Sequence, residues 1–212
     1  FGTDLAILCQ LEIDRKTVLI SDKSWSASQE GPLGLNDLMQ GECYDARKEN
    51  ICEWHPVTEK QFGYENLVCS NSFDVVEKEN YTGKQIHTPN GEVVIDFGQN
   101  IAGYVKFGFY AQAGQCITLY HGECLDQNGN FTQENFQAPE HRVEQCVKYI
   151  CKEGWNEYKP EKSIFGFRYI KAITDVKVTE KNFTAIAVYS DMPQTGKFEC
   201  GHPGINQLFS NA

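Results

Sequence analysis

Few side chains in this sequence stand at spacings that would support chemistry. His121 and Glu123, two residues apart on one strand face, could form an acid/base couple, although a structural hydrogen-bonded pair is the plainer reading. Cys116, His121 and Cys124 are possible zinc ligands, but they fall on one strand and its exit without paired short spacings, so no metal is expected. Asp126, Asn128 and Asn130 alternate like the oxygen ligands of a calcium loop. Such a loop needs glycine at its sixth position and a bidentate Glu at its twelfth, where this chain has Phe131 and Gln137, with Gly129 misplaced at the fourth. An Asn-Gly hairpin turn fits the segment better. Glycoside hydrolysis requires two carboxyls roughly 5–9.5 Å apart across the scissile bond. Nothing in the spacing of the 29 acidic residues selects two of them. Trp25, Trp54 and Trp155 could stack on sugar rings, and core packing is an equal alternative for each. The usual signatures of acyl-transfer and nucleotide chemistry, GxSxG, GxGxxG and GxxxxGKS/T, are absent. There remains "VVIDFGQNIAGYVKF" (93–107), in which Asp96, Gly98, Gln99, Asn100 and Gly103 interrupt two apolar runs. These residues are either a site or a connection between strands.

The elements that must position such residues are mostly strands. Leu5, Ile7, Cys9, Leu11 and Ile13 alternate onto one face, as do Val105, Phe107 and Phe109, with Tyr104, Lys106 and Tyr110 opposite. Ile117, Leu119 and His121 share a face, and "FTAIAVYS" (183–190) is apolar on both. Short strands separated by "TPNGE", "QAG" and "DQNGN" predict a mainly β fold of antiparallel β-sandwich modules. Helices are expected only at "GLNDLM" (34–39) and at the C-terminus, where Ile205, Leu208 and Phe209 have helical spacing. A composition shift between 54 and 80 suggests a joint between two β units.

With 212 residues, 41% of them hydrophobic and 12% aromatic, the chain can bury a substantial core. A net charge of −10, with no basic cluster, argues against a nucleic-acid partner. No run of 18 apolar residues is present, so no membrane partner is expected. The nine cysteines are odd in number, lack CxxC spacing and lie mostly in apolar runs, which reads as buried reduced thiols in a reducing compartment. Asn80, Asn130 and Asn182 open Asn-x-Ser/Thr triplets, which mean little without secretion. The ends read as those of a piece of a longer chain.

Five segments in order carry a resemblance: "GPLGLNDLMQGECYDARKE", "VVIDFGQNIAGYVKF", "HGECLDQNGNFTQENFQA", "EYKPEKSIFGFRYIKA" and "SDMPQTGKFECGHPGINQLFSN". Together they make the chain similar to bacterial α-L-rhamnosidases over essentially its whole length. Gln137 stands where Arg is usual, Val147 where Asp often precedes the Tyr, and Phe165 where His is common. In that family, β-sandwich modules lead into an (α/α)6 barrel whose acids hydrolyse terminal α-L-rhamnose with inversion. The resemblance therefore implies residues 1–68 as the later part of a first β-sandwich module, 69–194 as a second, and 195–212 as the start of the helical catalytic domain. It implies that the catalytic acid and base lie beyond Ala212, so no catalytic residue is assigned here. It assigns no substrate-binding residue and needs no cofactor. The partners it implies are rhamnose-containing glycosides, met through the parent enzyme, and the chain's own catalytic domain, in a bacterial cytoplasm. A carbohydrate-binding module working alone and a free-standing structural β protein are the alternatives.

On this reading Asp96, Gln99 and Asn100 satisfy backbone groups at a turn between sandwich strands, while Gly98 and Gly103 allow positive φ or close approach. The sharper alternative is that these residues, with Arg168, brace the barrel or line its pocket rim. In "FGFRY" (165–169), Phe165, Phe167 and Tyr169 should face the core, with Gly166 and Arg168 opposite. Asp96 is the acid expected to pair with Arg168.

Overall fold

The computed structural model describes residues 5–61, 63–136 and 143–211; Gln137 lies outside them. In chain order the strands are β1 (Gln10–Ile13), β2 (Lys16–Ile20), β3 (Ser26–Ala27), β4 (Leu33–Asp37), β5 (Gly41–Asp45), β6 (His55–Pro56) and β7 (Val75–Thr82). They continue with β8 (Lys84–His87), β9 (Val93–Ala111), β10 (Cys116–Gly122), β11 (Cys146–Ile150), β12 (Gly154–Tyr158), β13 (Phe165–Thr174) and β14 (Phe183–Ser190). One helix, α1 (Pro203–Asn211), follows. The fold is mainly β, as the alternating pattern predicts, with a C-terminal helix where Ile205, Leu208 and Phe209 have helical spacing.

Ten strands form one sheet in the order β4-β5-β11-β10-β13-β9-β14-β7, with β12 and β8 also pairing β9. Every pairing is antiparallel except β5 with β11. Four rings show that the sheet folds back on itself. Tyr44 and Tyr149 are cross-strand neighbours on β5 and β11, and Phe107 and Tyr158 are neighbours on β9 and β12. The two pairs meet, Tyr44 to Tyr158 at 4.5 Å, Tyr149 to Tyr158 at 5.2 Å and Phe107 to Tyr149 at 5.3 Å between centroids. Strands separated by β10 and β13 in the sheet thus pack face to face, which is the sandwich arrangement. Ile117, Leu119, Val105, Phe107, Phe109, Phe165, Phe167 and Phe183 fill the space between, on the faces their alternation assigns.

Three sequence expectations are corrected by these elements. Residues 34–39 are not helical: Leu33 pairs with Tyr44 and Leu35 with Cys43, so Leu33–Asp37 is a strand. The Asp37 carboxylate then closes a turn by accepting the Met39 and Gln40 N–H groups, both at 2.8 Å. Leu35, Leu38 and Met39 are all exposed, so the apolar face a helix would present has nothing to bury against. Nor does the alternation from Leu5 to Ile13 make a long half-buried strand. The strand is only Gln10–Ile13, in a two-stranded sheet with β2 whose residues are all exposed. Of the nine thiols, all free, only Cys146 and Cys151 are buried and Cys69 is exposed, so burial is rarer than the apolar runs suggest. No helix among the described residues is long and apolar enough to cross a membrane.

Candidate functional site

The polar segment in "VVIDFGQNIAGYVKF" does not turn between two strands. It lies within β9, which runs unbroken from Val93 to Ala111. Against β13, Ile101 pairs with Phe167 and Asp96 with Tyr169, leaving residues 97–100 opposite Arg168 alone. The segment is therefore a large β-bulge, a device that bends a strand and re-aims its side chains. Phe97 stays in the core, while Gly98, Gln99 and Asn100 are pushed outward and exposed. Gly98 sits at φ +81°, a backbone conformation that glycine takes without strain. Gly103, just beyond the bulge, passes so close to β14 that a Cβ would lie 1.9 Å from the Ile186 carbonyl oxygen.

Arg168 fastens the bulge. Its Nε donates to Asp96 Oδ1 and its Nη2 to Asp96 Oδ2, each at 2.8 Å, the two-pronged geometry expected for this pair. Asp96 Oδ1 also accepts the Gly98 N–H at 2.7 Å. The Arg168 hydrogen bonds hold the Asp96 carboxyl below the usual carboxylate range, and Asp96 raises Arg168 in return. The guanidinium lies over the Tyr169 ring, 5.0 Å from its centroid. Glu123 completes the patch: Asn135 Nδ2 donates to its Oε2 at 3.0 Å, and Asn100 Nδ2 reaches its Oε1 at 3.5 Å. Gly166 leaves room for that carboxylate, since a Cβ there would stand 3.2 Å from Glu123 Oε1. The Asp96–Arg168 clamp and the Asn100–Glu123–Asn135 cluster thus flank the bulge, with Gln99 exposed beside them.

His121 and Glu123 are not a couple. His121 is wholly buried, its Nδ1 is 3.1 Å from the Gln145 carbonyl oxygen, and its ring stacks on Phe165 at 4.0 Å. Its Nε2 has no hydrogen-bond partner among the described residues. Burial lowers its pKa from 6.5 to about 4. The unfolded chain therefore holds the extra proton between these values, so stability is full above pH 6.5 and falls as pH drops toward 4. The expected slope is up to about 1.4 kcal/mol per pH unit. Unfolding midpoints at pH 7 and pH 5 check it: His121→Phe should flatten the dependence, and an unchanged slope would remove His121 as its source.

The Asp126 carboxylate is spent on its own turn. Its Oδ1 accepts the Asn128 and Asn130 N–H groups at 2.9 and 2.7 Å, and Leu125 bridges Phe131 across the turn. Trp25 donates its indole N–H to the Ile20 carbonyl at 2.9 Å, Trp155 packs edge-on to Tyr110 at 5.1 Å, and Trp54 is exposed. The three do not form one platform. The sequence reading missed Glu42, which is 1% exposed. It accepts from the Tyr158 hydroxyl and from the backbone N–H groups of Glu161, Lys162 and Ser163, at 2.7–3.2 Å.

Two family models match the chain: the α-L-rhamnosidase N-terminal domain over residues 1–86 and the bacterial α-L-rhamnosidase concanavalin-like domain over 86–189. An α-L-rhamnosidase of Formosa agariphila is 30% identical over 203 residues, covering 89% of this chain and 21% of that protein. An α-L-rhamnosidase of Streptomyces avermitilis is 29% identical, covering all of this chain and 22% of its own length. Among solved structures, native α-L-rhamnosidase from Aspergillus terreus superposes with a TM-score of 0.79 at 29% identity, over 93% of this chain and 24% of that one. The Streptomyces avermitilis enzyme complexed with L-rhamnose gives 0.78 at 27% identity, over 96% and 21%. The chain spans less than a quarter of the length of these relatives and carries the two β domains that open the match. By these two domains it belongs to the bacterial α-L-rhamnosidase family.

Proposed function

We propose that this chain is the non-catalytic β-sandwich portion of an α-L-rhamnosidase, an inverting glycoside hydrolase that releases terminal α-L-rhamnose, and that it scaffolds and orients the catalytic barrel. The reading rests above all on the two family models, which together run from residue 1 to 189, with relatives named for that activity. Residues 1–68 close a first module, 69–194 form the second and 195–212 open the helical domain. Since β4 and β5 pair into the ten-stranded sheet, the first segment reaches into the second module. The bulge at Gly98–Asn100, clamped by Asp96 and Arg168, is the surface presented to the barrel or to the rim of its pocket. Nine unpaired thiols support a reducing compartment, the bacterial cytoplasm.

Turnover of 4-nitrophenyl α-L-rhamnoside tests this. The 212-residue chain should be inactive, since cleavage needs two carboxyls placed across the bond. In the full-length protein, Arg168→Ala should lower turnover and remove about 1–2 kcal/mol of stability. Arg168→Lys, which keeps the charge but loses the fork, should recover only part of each. Wild-type turnover and stability in Arg168→Ala would refute the bracing role.

A further inference from the structure

A cavity of about 290 Å³ lies where the segment 161–164 meets β7, β9 and β14. Val75, Val188 and Ile164 give it apolar walls, and Glu77, Tyr104, Glu161, Lys162 and Ser163 give it polar ones. It explains why "FTAIAVYS" is apolar on both faces: Ala185 and Ala187 join the main core, while Val188 is buried beneath this segment.

The walls are built rather than incidental. The backbone N–H groups of Glu161, Lys162 and Ser163 all donate to the buried Glu42 carboxylate, which fixes one side. On the other, the Tyr104 hydroxyl donates to Glu77 Oε1 at 2.7 Å and Lys159 Nζ stands 2.5 Å from the same oxygen. Lys159 also sits 5.8 Å from the centre of the Tyr104 ring. Three elements, β7, β9 and the segment after β12, thus hold one carboxylate in place. Lys159 and Tyr104 keep Glu77 ionised by lowering its pKa. Both contacts fall on Oε1 of a residue that lines the cavity.

We propose that this cavity binds one neutral monosaccharide residue. Hydroxyl groups would donate to Glu77 and Glu161, Lys162 would donate to a sugar oxygen, and the C–H face of the ring would lie on Val75, Val188 and Ile164. Two carboxylates on the lining disfavour an anionic ligand. The lining is too polar for a purely hydrocarbon one, which would strand those groups without partners. The site shares no residue with the bulge surface, and only the choice of L-rhamnose as first probe rests on the rhamnosidase reading.

Titration of the isotopically labelled 212-residue chain with L-rhamnose, L-fucose and D-mannose, followed by amide NMR shifts, tests the proposal. A saturable response at residues 75–77, 161–164 and 188, with Kd near about 1 mM for at least one sugar, is expected. Ile164→Trp fills the cavity from an exposed position and should abolish the response. Glu77→Gln should weaken it about tenfold. Binding of D-mannose without L-rhamnose at these amides would support the site and count against the rhamnosidase reading alone. No saturable response with any of the three sugars, or one that Ile164→Trp leaves intact, would overturn the proposal.

Discussion

Replacing Glu42 by alanine is expected to cost about 3–5 kcal/mol of folding stability. The carboxylate is out of contact with solvent and is the acceptor for three consecutive backbone N–H groups and the Tyr158 hydroxyl. Removing it leaves four donors around a vacated volume, and each buried unpaired donor is costly. The loss would also free the segment 161–164 from β5 and so open the cavity it covers. Glu42→Gln is a finer test. It keeps one carbonyl oxygen but turns an NH2 toward donors, so its cost should fall between wild type and alanine, at about 1–3 kcal/mol. Urea unfolding of the three proteins checks the order. A Glu42→Ala unfolding free energy within about 1 kcal/mol of wild type would mean that water replaces the carboxylate without penalty.

Glu42 also marks the limit of what could be read from the chain itself. Its partners are main-chain N–H groups more than a hundred residues away, and a backbone donor has no letter in the sequence. Arg168 and Asp96 are 72 residues apart, but they could be matched: a guanidinium in a run of Gly and aromatics, "FGFRY", needs an acid on the neighbouring face. The inward positions of β9, β10, β13 and β14 were legible because alternation with period two is the physical requirement for a half-buried strand. The bulge was not, since four residues opposing one is a property of two strands together and leaves no mark on either alone. The segment 34–39 misled for a related reason. Its apolar spacing suits a helix, but pairing with β5 satisfies its backbone, and tertiary pairing outweighs a weak local preference. The first hairpin shows the same alternation as the core strands, yet among the described residues nothing covers it. Periodicity reports which side a strand could bury and is silent on what buries it.

The last large effect is expected at Phe167. The side chain is fully buried on β13, edge-on to Phe97 with centroids 5.9 Å apart and to His121 at 5.0 Å. Phe97 is the residue at which β9 leaves the regular ladder, and Phe167 pairs with Ile101, where it returns. The ring therefore fills the space directly beneath the bulge, and its neighbour Arg168 clamps the same bulge from outside. Phe167→Ala should cost about 3–5 kcal/mol, the sum of lost apolar burial and an incompletely collapsed cavity. Phe167→Leu keeps most of the volume and should cost roughly 1–1.5 kcal/mol. The two variants separate packing from positioning. If the bulge surface braces a catalytic barrel, Phe167→Leu in the full-length protein should lower rhamnoside turnover at temperatures where the chain remains folded, because the bulge loses its floor while Arg168 is still in place. Combining Phe167→Leu with Arg168→Ala should then cost less than the separate losses added together, since the two residues support one structure from opposite sides. Strict additivity would show that the core beneath the bulge and the clamp above it act independently, and that the bulge is held by its own backbone.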